Sequence, residues 1–278
     1  MLTTFNSPGP VLCGVEECGL RAFGVVRAPL EAIPALRKRP GPPVGEPLPA
    51  SLLKHADEQT VAGVAAVARA IHDFGLQGRS WIDWGVLGAP RFPGRLCVPE
   101  AIRHFLAEGP LGVSPHIIPQ RSTHSLSGTV SLAFQMRGPN YGVGGADGAL
   151  AEGLLAGLAI MVDDRPPGLW LVLTEWDPEP VPEDPGAEQA VCHAVALALV
   201  PDPADGSGGR LRLTRAAGPG AATPGVSSLA DFLTDPADRE ARPSWVCPLE
   251  WGDVLEVIPP GGPAGAGERP AGSGERPA

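Results

Sequence analysis

Aromatic residues are scarce: Phe, Trp and Tyr make up 5% of the 278 residues, and there is a single tyrosine. A core with few rings must be built from Ala, Leu and Val. Such a core suits helices packed closely on a sheet better than a β-sandwich. Basic residues are short as well, with 21 Lys and Arg against 31 Asp and Glu and a net charge of −10. That balance lacks the basic face needed to neutralise phosphates, which argues against broad nucleic-acid binding. Long apolar runs are missing. The stretch from Leu154 to Val162 contains a glycine and falls far short of the ~20 residues that span a bilayer. The opening MLTTFNSPGP has neither a basic region nor an apolar one of the export type, so the expected location is the cytoplasm.

The five cysteines, Cys13, Cys18, Cys97, Cys192 and Cys247, are odd in number and scattered. Without export they are expected to be thiols rather than disulfides. Cys13 and Cys18 have loosely ligand-like spacing, but no second Cys/His pair accompanies them, and a zinc site needs about four ligands. No G-x-x-x-x-G-K-[ST] phosphate loop occurs. No cofactor is expected. What is abundant is glycine (37) and proline (34), about a quarter of the chain, beside 43% hydrophobic residues. The expectation is one globular domain over 1–258 with Pro/Gly-rich loops, followed by a disordered tail over 259–278, in which GERPA occurs twice.

The patterning predicts alternating strands and helices. Val11–Val15 and Leu20–Val26 read as strands, and 34–50 as a proline-rich loop. Ser51–Ile71 carries a helical stripe of Val61, Val64, Ala65, Ala68 and Ile71. Trp84–Leu87 reads as a strand and Pro99–Glu108 as a helix with proline at its start and Gly109 past its end. Thr123–Gln135 reads as a helix and Gly138–Val143 as a turn into a strand. Leu150, Leu154, Leu158 and Met161 form a stripe on a helix over Gly148–Val162. Leu169–Leu173 and Val191–Val200 are continuous apolar strands, with Arg210–Thr214 able to pair with the second, and Leu229–Leu233 is a helical turn.

Ser114-Pro115, Thr123-His124-Ser125-Leu126-Ser127-Gly128, Gly138-Pro139-Asn140-Tyr141-Gly142-Val143 and Gly144-Gly145-Ala146-Asp147-Gly148-Ala149 come in that order. Their succession resembles the β-ketoacyl synthase family, best over residues 113–177. The closing Glu175-Trp176-Asp177-Pro178-Glu179-Pro180 is more like the short, single-half members, some of which look like chain-length-factor partners. The resemblance implies an α/β, thiolase-like half-fold, with a mixed five-stranded sheet covered by helices. It also implies that Asp147 stands where condensing synthases carry the nucleophilic cysteine.

A cysteine at a helix N-terminus is a good nucleophile because the dipole favours its thiolate. Asp147 there reads as a helix N-cap, or as a carboxylate nucleophile whose attack on a thioester would give an unfavourable anhydride. Only 131 residues follow Asp147, with His193 their single histidine. Inside its apolar run His193 reads as a packed strand residue. The half-domain that supplies a synthase's further catalytic groups is absent from this sequence.

Three readings follow. The first is a non-catalytic, chain-length-factor-like subunit that pairs with a full-length β-ketoacyl synthase, or with itself, and shapes an acyl tunnel in fatty acid or polyketide biosynthesis. Its expected interface is Asn140, Tyr141, Gly142, Val143, Gly144 and Gly145. The second is an acyl-transfer or hydrolytic enzyme using Asp147 or a serine, and the third a homodimeric acyl-binding scaffold. Arg37, Lys38 and Arg39 form the one compact basic cluster, which could steer an acidic acyl carrier protein or simply be a solvated loop. His124 with Ser122, Ser125 and Ser127 reads as local capping. Glu175, Asp177 and Glu179, interleaved with prolines, read as an exposed strand exit, and the six tryptophans as dispersed.

Overall fold

The computed structural model describes residues 16–45, 47–49, 51–113, 122–181, 189–206, 208–215 and 224–261. The expected strand at 11–15, Cys13, the Ser114-Pro115 segment and nearly all of the tail lie outside the described residues.

Eight strands form one mixed sheet: β1 (Glu16–Pro29), β2 (Gly85–Pro90), β3 (Asn140–Gly142), β4 (Leu169–Asp177), β5 (Val191–Val200), β6 (Arg210–Arg215), β7 (Trp245–Pro248) and β8 (Asp253–Ile258). Their order is β3-β2-β4-β5-β1-β6-β8-β7. The sheet is therefore larger than the five strands expected, because a β7–β8 hairpin and β6 extend it beyond β1. β2 runs parallel to β3 and β4, whereas β5 is antiparallel to β4 and β1. β6 pairs with β1 and β8, not with β5 as expected, since β1 lies between them.

Alternation along the central strands builds two cores. In β4, Trp170, Val172 and Trp176 face one side while Leu169, Leu171 and Leu173 face the other. On the first side the facing residues of β5 are Ala194, Ala196 and Ala198. Their small side chains admit α2 (Glu58–Asp73), itself lined by Ala62, Ala65, Ala66 and Ala70. α1 (Ile33–Lys38) and α4 (His124–Ala133) cover the same face, with α3 (Cys97–Glu108) between α2 and α4 in sequence. α1 forms inside the segment expected to be a loop, with Pro34 in its first turn. α2 begins seven residues later than expected, where the buried Asp57 carboxylate accepts from the Thr60 backbone N–H at 2.7 Å and caps it.

The opposite face is covered by α5 (Ala149–Asp163) and α6 (Val226–Thr234), followed by α7 (Pro236–Ala241). The Leu150, Leu154, Leu158 and Met161 stripe of α5 is fully packed against Leu87, Leu171, Leu173 and Leu197. Trp81, Trp84 and Trp170 meet edge to face or tilted, with ring centroids 4.7–6.1 Å apart. The tryptophans are thus not all dispersed: three form a cluster beneath the start of β2.

Candidate functional site

Parallel β2 and β4 end side by side, and the turns that leave them converge on the loop preceding α5. Arg91 is the first residue past β2. Its backbone N–H donates to Thr174 O at 2.8 Å. Its own carbonyl accepts from the buried Gln59 side chain at 2.8 Å, and Gln59 in turn accepts from Thr174 Oγ1 at 2.8 Å. This network between α2, β2 and β4 fixes the root of the arginine. The next residue, Phe92, holds φ at 48°, and the guanidinium groups of Arg91 and Arg95 both lie 5.3 Å from its ring centroid.

The Arg91 guanidinium donates from Nη2 to Asp147 Oδ1 at 2.6 Å, and Nη1 stands 3.9 Å from Glu175 Oε2. The Asp147 hydrogen bond raises the Arg91 pKa against the opposing effect of burial. The charges of Asp147, Glu175 and Glu179 add to the rise. Asp147 does not cap α5 as expected. The cap position falls on Gly148, with no side-chain hydrogen bond to the helix, because the carboxylate is turned to Arg91.

Glu175 overturns its expected place on an exposed strand exit: it is 2% exposed. Its Oε1 accepts from the Ser227 N–H at 2.6 Å, in the first turn of α6. The carboxylate therefore satisfies one of the free amides at a helix N-terminus and lies on the favourable end of the dipole. Gly225 makes this approach possible. A Cβ there would lie 2.7 Å from Glu175 Oε1. Glu179 pairs with Arg95, while Asp177 is exposed.

Arg91, Asp147, Leu150, Leu155, Glu175 and Trp251 are among the residues lining a cavity of about 480 Å3. Among the described residues no histidine or cysteine lines it. Cys18, Cys192 and Cys247 are buried elsewhere, and burial pushes their thiols up, Cys18 to about 12 and Cys247 to about 11. His193 is a buried residue of β5, opposite Glu175 across the β4–β5 pair. Among the described residues no group of three or more His, Cys, Asp or Glu could hold a metal ion. Ser127 Oγ lies 3.3 Å from His124 Nδ1 and donates to the His124 carbonyl at 3.2 Å, which is local bonding within the first turn of α4. No helix among the described residues is long and apolar enough to cross a membrane.

The segment expected as an interface contains the edge strand of the sheet. Among the described residues β3 pairs with β2 on one side only, through Val86↔Asn140, Leu87↔Tyr141 and Gly88↔Gly142. Tyr141 is 43% exposed. Val143 and Gly145 continue the attachment with N–H bonds to Gly88 O and Pro90 O at 2.9 and 2.8 Å. The basic cluster is smaller than expected. Arg37 donates to the carbonyls of Leu53 and Ala56 at 2.5 Å and stands 3.8 Å from Glu58, leaving Lys38 and Arg39 exposed. Arg91 went unnoticed in the sequence, and Trp251 reads there only as one of six dispersed tryptophans. The one signal for Arg91 is its place directly after a buried parallel strand.

No protein-family model matches the sequence, and no curated protein matches it. Solved structures do. A chain in the complex of the ketosynthase ApeO with its chain length factor ApeC from Xenorhabdus doucetiae superposes with a TM-score of 0.51 at 14% identity, covering 86% of this chain and 99% of that one. A β-ketoacyl synthase from Burkholderia phymatum gives 0.48 at 15% identity, covering 66% of this chain and 59% of the synthase. The ishigamide ketosynthase/chain length factor gives 0.47 at 14%, covering 66% and 62%. The chain thus spans less than two thirds of the latter two. The fold is the thiolase-like fold of ketosynthases.

Proposed function

We propose that this chain is a non-catalytic, chain-length-factor-like subunit that pairs with an active β-ketoacyl synthase and shapes its acyl tunnel in fatty acid or polyketide-type biosynthesis. The observation that carries the reading is the Asp147–Arg91 pair at 2.6 Å. The position that the sequence resemblance matches to the synthase nucleophile holds a carboxylate already bound to a cation, in a cavity whose described lining includes neither cysteine nor histidine. Thioester condensation needs a nucleophile and a proton-transfer partner within hydrogen-bond reach. The same ion pair weakens the reading in which Asp147 attacks or abstracts a proton.

Two surfaces support pairing. The outer edge of β3 has no strand partner among the described residues, and such an edge offers backbone groups for pairing. α3 buries none of its residues, and Ile102, Phe105 and Leu106 are 50–77% exposed. Apolar exposure of this extent is a mark of an association surface. The chain is expected to co-purify with a synthase encoded beside it and, alone, to release no carbon dioxide from malonyl-carrier. Turnover by the isolated chain that Asp147→Ala abolishes would overturn the proposal.

A further inference from the structure

Three titratable side chains stand in a row across the sheet. His193 of β5 is paired directly opposite Glu175 of β4 on one side and Arg27 of β1 on the other. Directly opposed residues point to the same face, with Cβ atoms about 5 Å apart. By alternation that face is the one covered by α6, since Leu171, Leu173, Val195 and Leu197 share it with Leu229 and Leu233.

The outer two members each hold one end of α6. Glu175 Oε1 accepts from the Ser227 N–H at 2.6 Å in the first turn. That amide is one that the helix itself leaves free. Arg27 Nη2 donates to Asp231 Oδ1 at 2.6 Å and to Thr234 Oγ1 at 2.8 Å in the last turn. The middle member holds nothing through its Nδ1, which is buried with no hydrogen-bond partner among the described residues. The row also reaches the Asp147 cavity. Glu175, Pro224 and Gly225 line it, and α6 begins directly after Gly225. Loosening the first turn of α6 therefore acts on the cavity wall.

A proton on His193 places a cation between a carboxylate that it attracts and a guanidinium that it repels. The charged groups acting on the imidazole are Glu175 and Asp177 of β4, Arg27 of β1 and Asp231 of α6. The three carboxylates favour the proton, whereas burial and Arg27 oppose it, and burial is the largest influence. Loosening α6 relieves the burial, so proton uptake and loosening are linked.

We infer that His193 is an acid-sensitive release for α6: uncharged, it leaves Glu175 on the Ser227 N–H and the cavity wall in place, and protonated, it draws the carboxylate away and frees the first turn. The release goes beyond the subunit reading and does not rest on it, because it is read at the Ser227 amide and not at synthase binding. The packed helix holds the imidazole below its ordinary pKa of 6.5. Loosening brings it back towards that value. The hold is therefore complete above pH 6.5 and is lost as pH falls towards the packed-state pKa.

Residue-resolved hydrogen exchange of the full chain at pH 7.5 and 5.5 tests this, with each rate divided by the intrinsic chemical rate. Protection of Ser227 is expected to fall about tenfold more than that of Leu197 in the middle of β5. His193→Gln, which cannot take up the proton, is expected to abolish that difference. Circular dichroism checks that the variant is folded. Should it not fold, His193→Asn, smaller and equally uncharged, carries the same expectation. The release is refuted if Ser227 and Leu197 lose protection equally, if neither loses any, or if the difference survives in a folded His193 variant.

Discussion

Arg91 and Asp147 come from turns 56 residues apart in sequence, yet their side chains meet at 2.6 Å. One leaves the end of β2 and the other precedes α5, so the pair ties together the two elements that frame the cavity. The two partners are not equivalent. Asp147 has 80% of its side chain exposed, Arg91 32% and the nearby Glu175 only 3%.

That asymmetry sets an order of stabilities. Asp147→Ala removes a surface ion pair and should cost about 0–1 kcal/mol. Arg91→Ala also leaves the buried Glu175 carboxylate without its nearby cation. Breaking a fully buried pair costs about 3–5 kcal/mol, but a 3.9 Å separation and a one-third exposed arginine reduce this. The expected cost is about 1–2 kcal/mol. Urea unfolding of both variants checks the order. Equal midpoints would show that Glu175 is satisfied by the Ser227 N–H alone.

Asp147→Cys tests the missing chemistry. The Arg91 cation should favour a thiolate at this exposed position, so iodoacetamide should label it at neutral pH. Cys18, Cys192 and Cys247, buried and with raised pKa values, should stay unlabelled in the folded protein. Condensation should not return, since none of the described residues lining the cavity is a histidine. Site-resolved mass spectrometry and a condensation assay read the two halves. A labelled variant that condenses would mean the remaining catalytic groups come from elsewhere in the assembly.

The cores were legible and the site was not, for a physical reason. The Leu150–Met161 stripe and the all-apolar runs in β4 and β5 are local patterns that report burial directly. Glu175 is the contrary case. Its neighbours Asp177, Pro178 and Glu179 read as solvent-facing. Its burial comes from Gly225 and Ser227, about fifty residues later, and from Arg91, over eighty earlier. The Trp81–Trp84–Trp170 cluster has the same origin, since Trp170 reaches it through strand pairing. The neighbour of β6 could not be read from Arg210–Thr214, because a short strand says nothing about which edge it joins. The helix-capping role proposed for Asp147 failed because Arg91, unseen in the linear pattern, offered the carboxylate a stronger partner.

His193 makes stability pH-dependent. Burial lowers its pKa below 6.5 against the pull of Glu175, Asp177 and Asp231, with Arg27 acting in the same direction as burial. The unfolded chain therefore takes up a proton near pH 6.5 that the folded chain resists. Its contribution to stability is present above that pH and is lost as pH falls towards the folded pKa. Urea midpoints at pH 7.5 and 5.5 should converge in His193→Gln relative to the parent. An unchanged difference would assign the acid loss to other groups.

The association surface calls for a choice of residue. Proline at Gly142 would remove a ladder donor, but a Cβ there would already lie 2.7 Å from the backbone of Thr123 and His124. Any substitution at Gly142 therefore disturbs the packing of β3 on α4, and lost association could not be told from lost fold. Tyr141 avoids this, being 43% exposed on the edge strand. A charge on a sheet edge opposes strand-to-strand pairing. Tyr141→Glu should leave the melting temperature within about 2 °C of the parent, since exposed substitutions usually cost under about 0.5 kcal/mol. It should nevertheless weaken synthase binding about tenfold or more, as at a central interface residue worth about 1.4 kcal/mol or more. Sedimentation velocity at micromolar concentration and pull-down of the adjacent synthase measure this. Unimpaired binding by Tyr141→Glu would move the interface away from β3, with the apolar face of α3 the next surface to probe. A parent chain that stays monomeric and binds no such synthase would end the subunit reading.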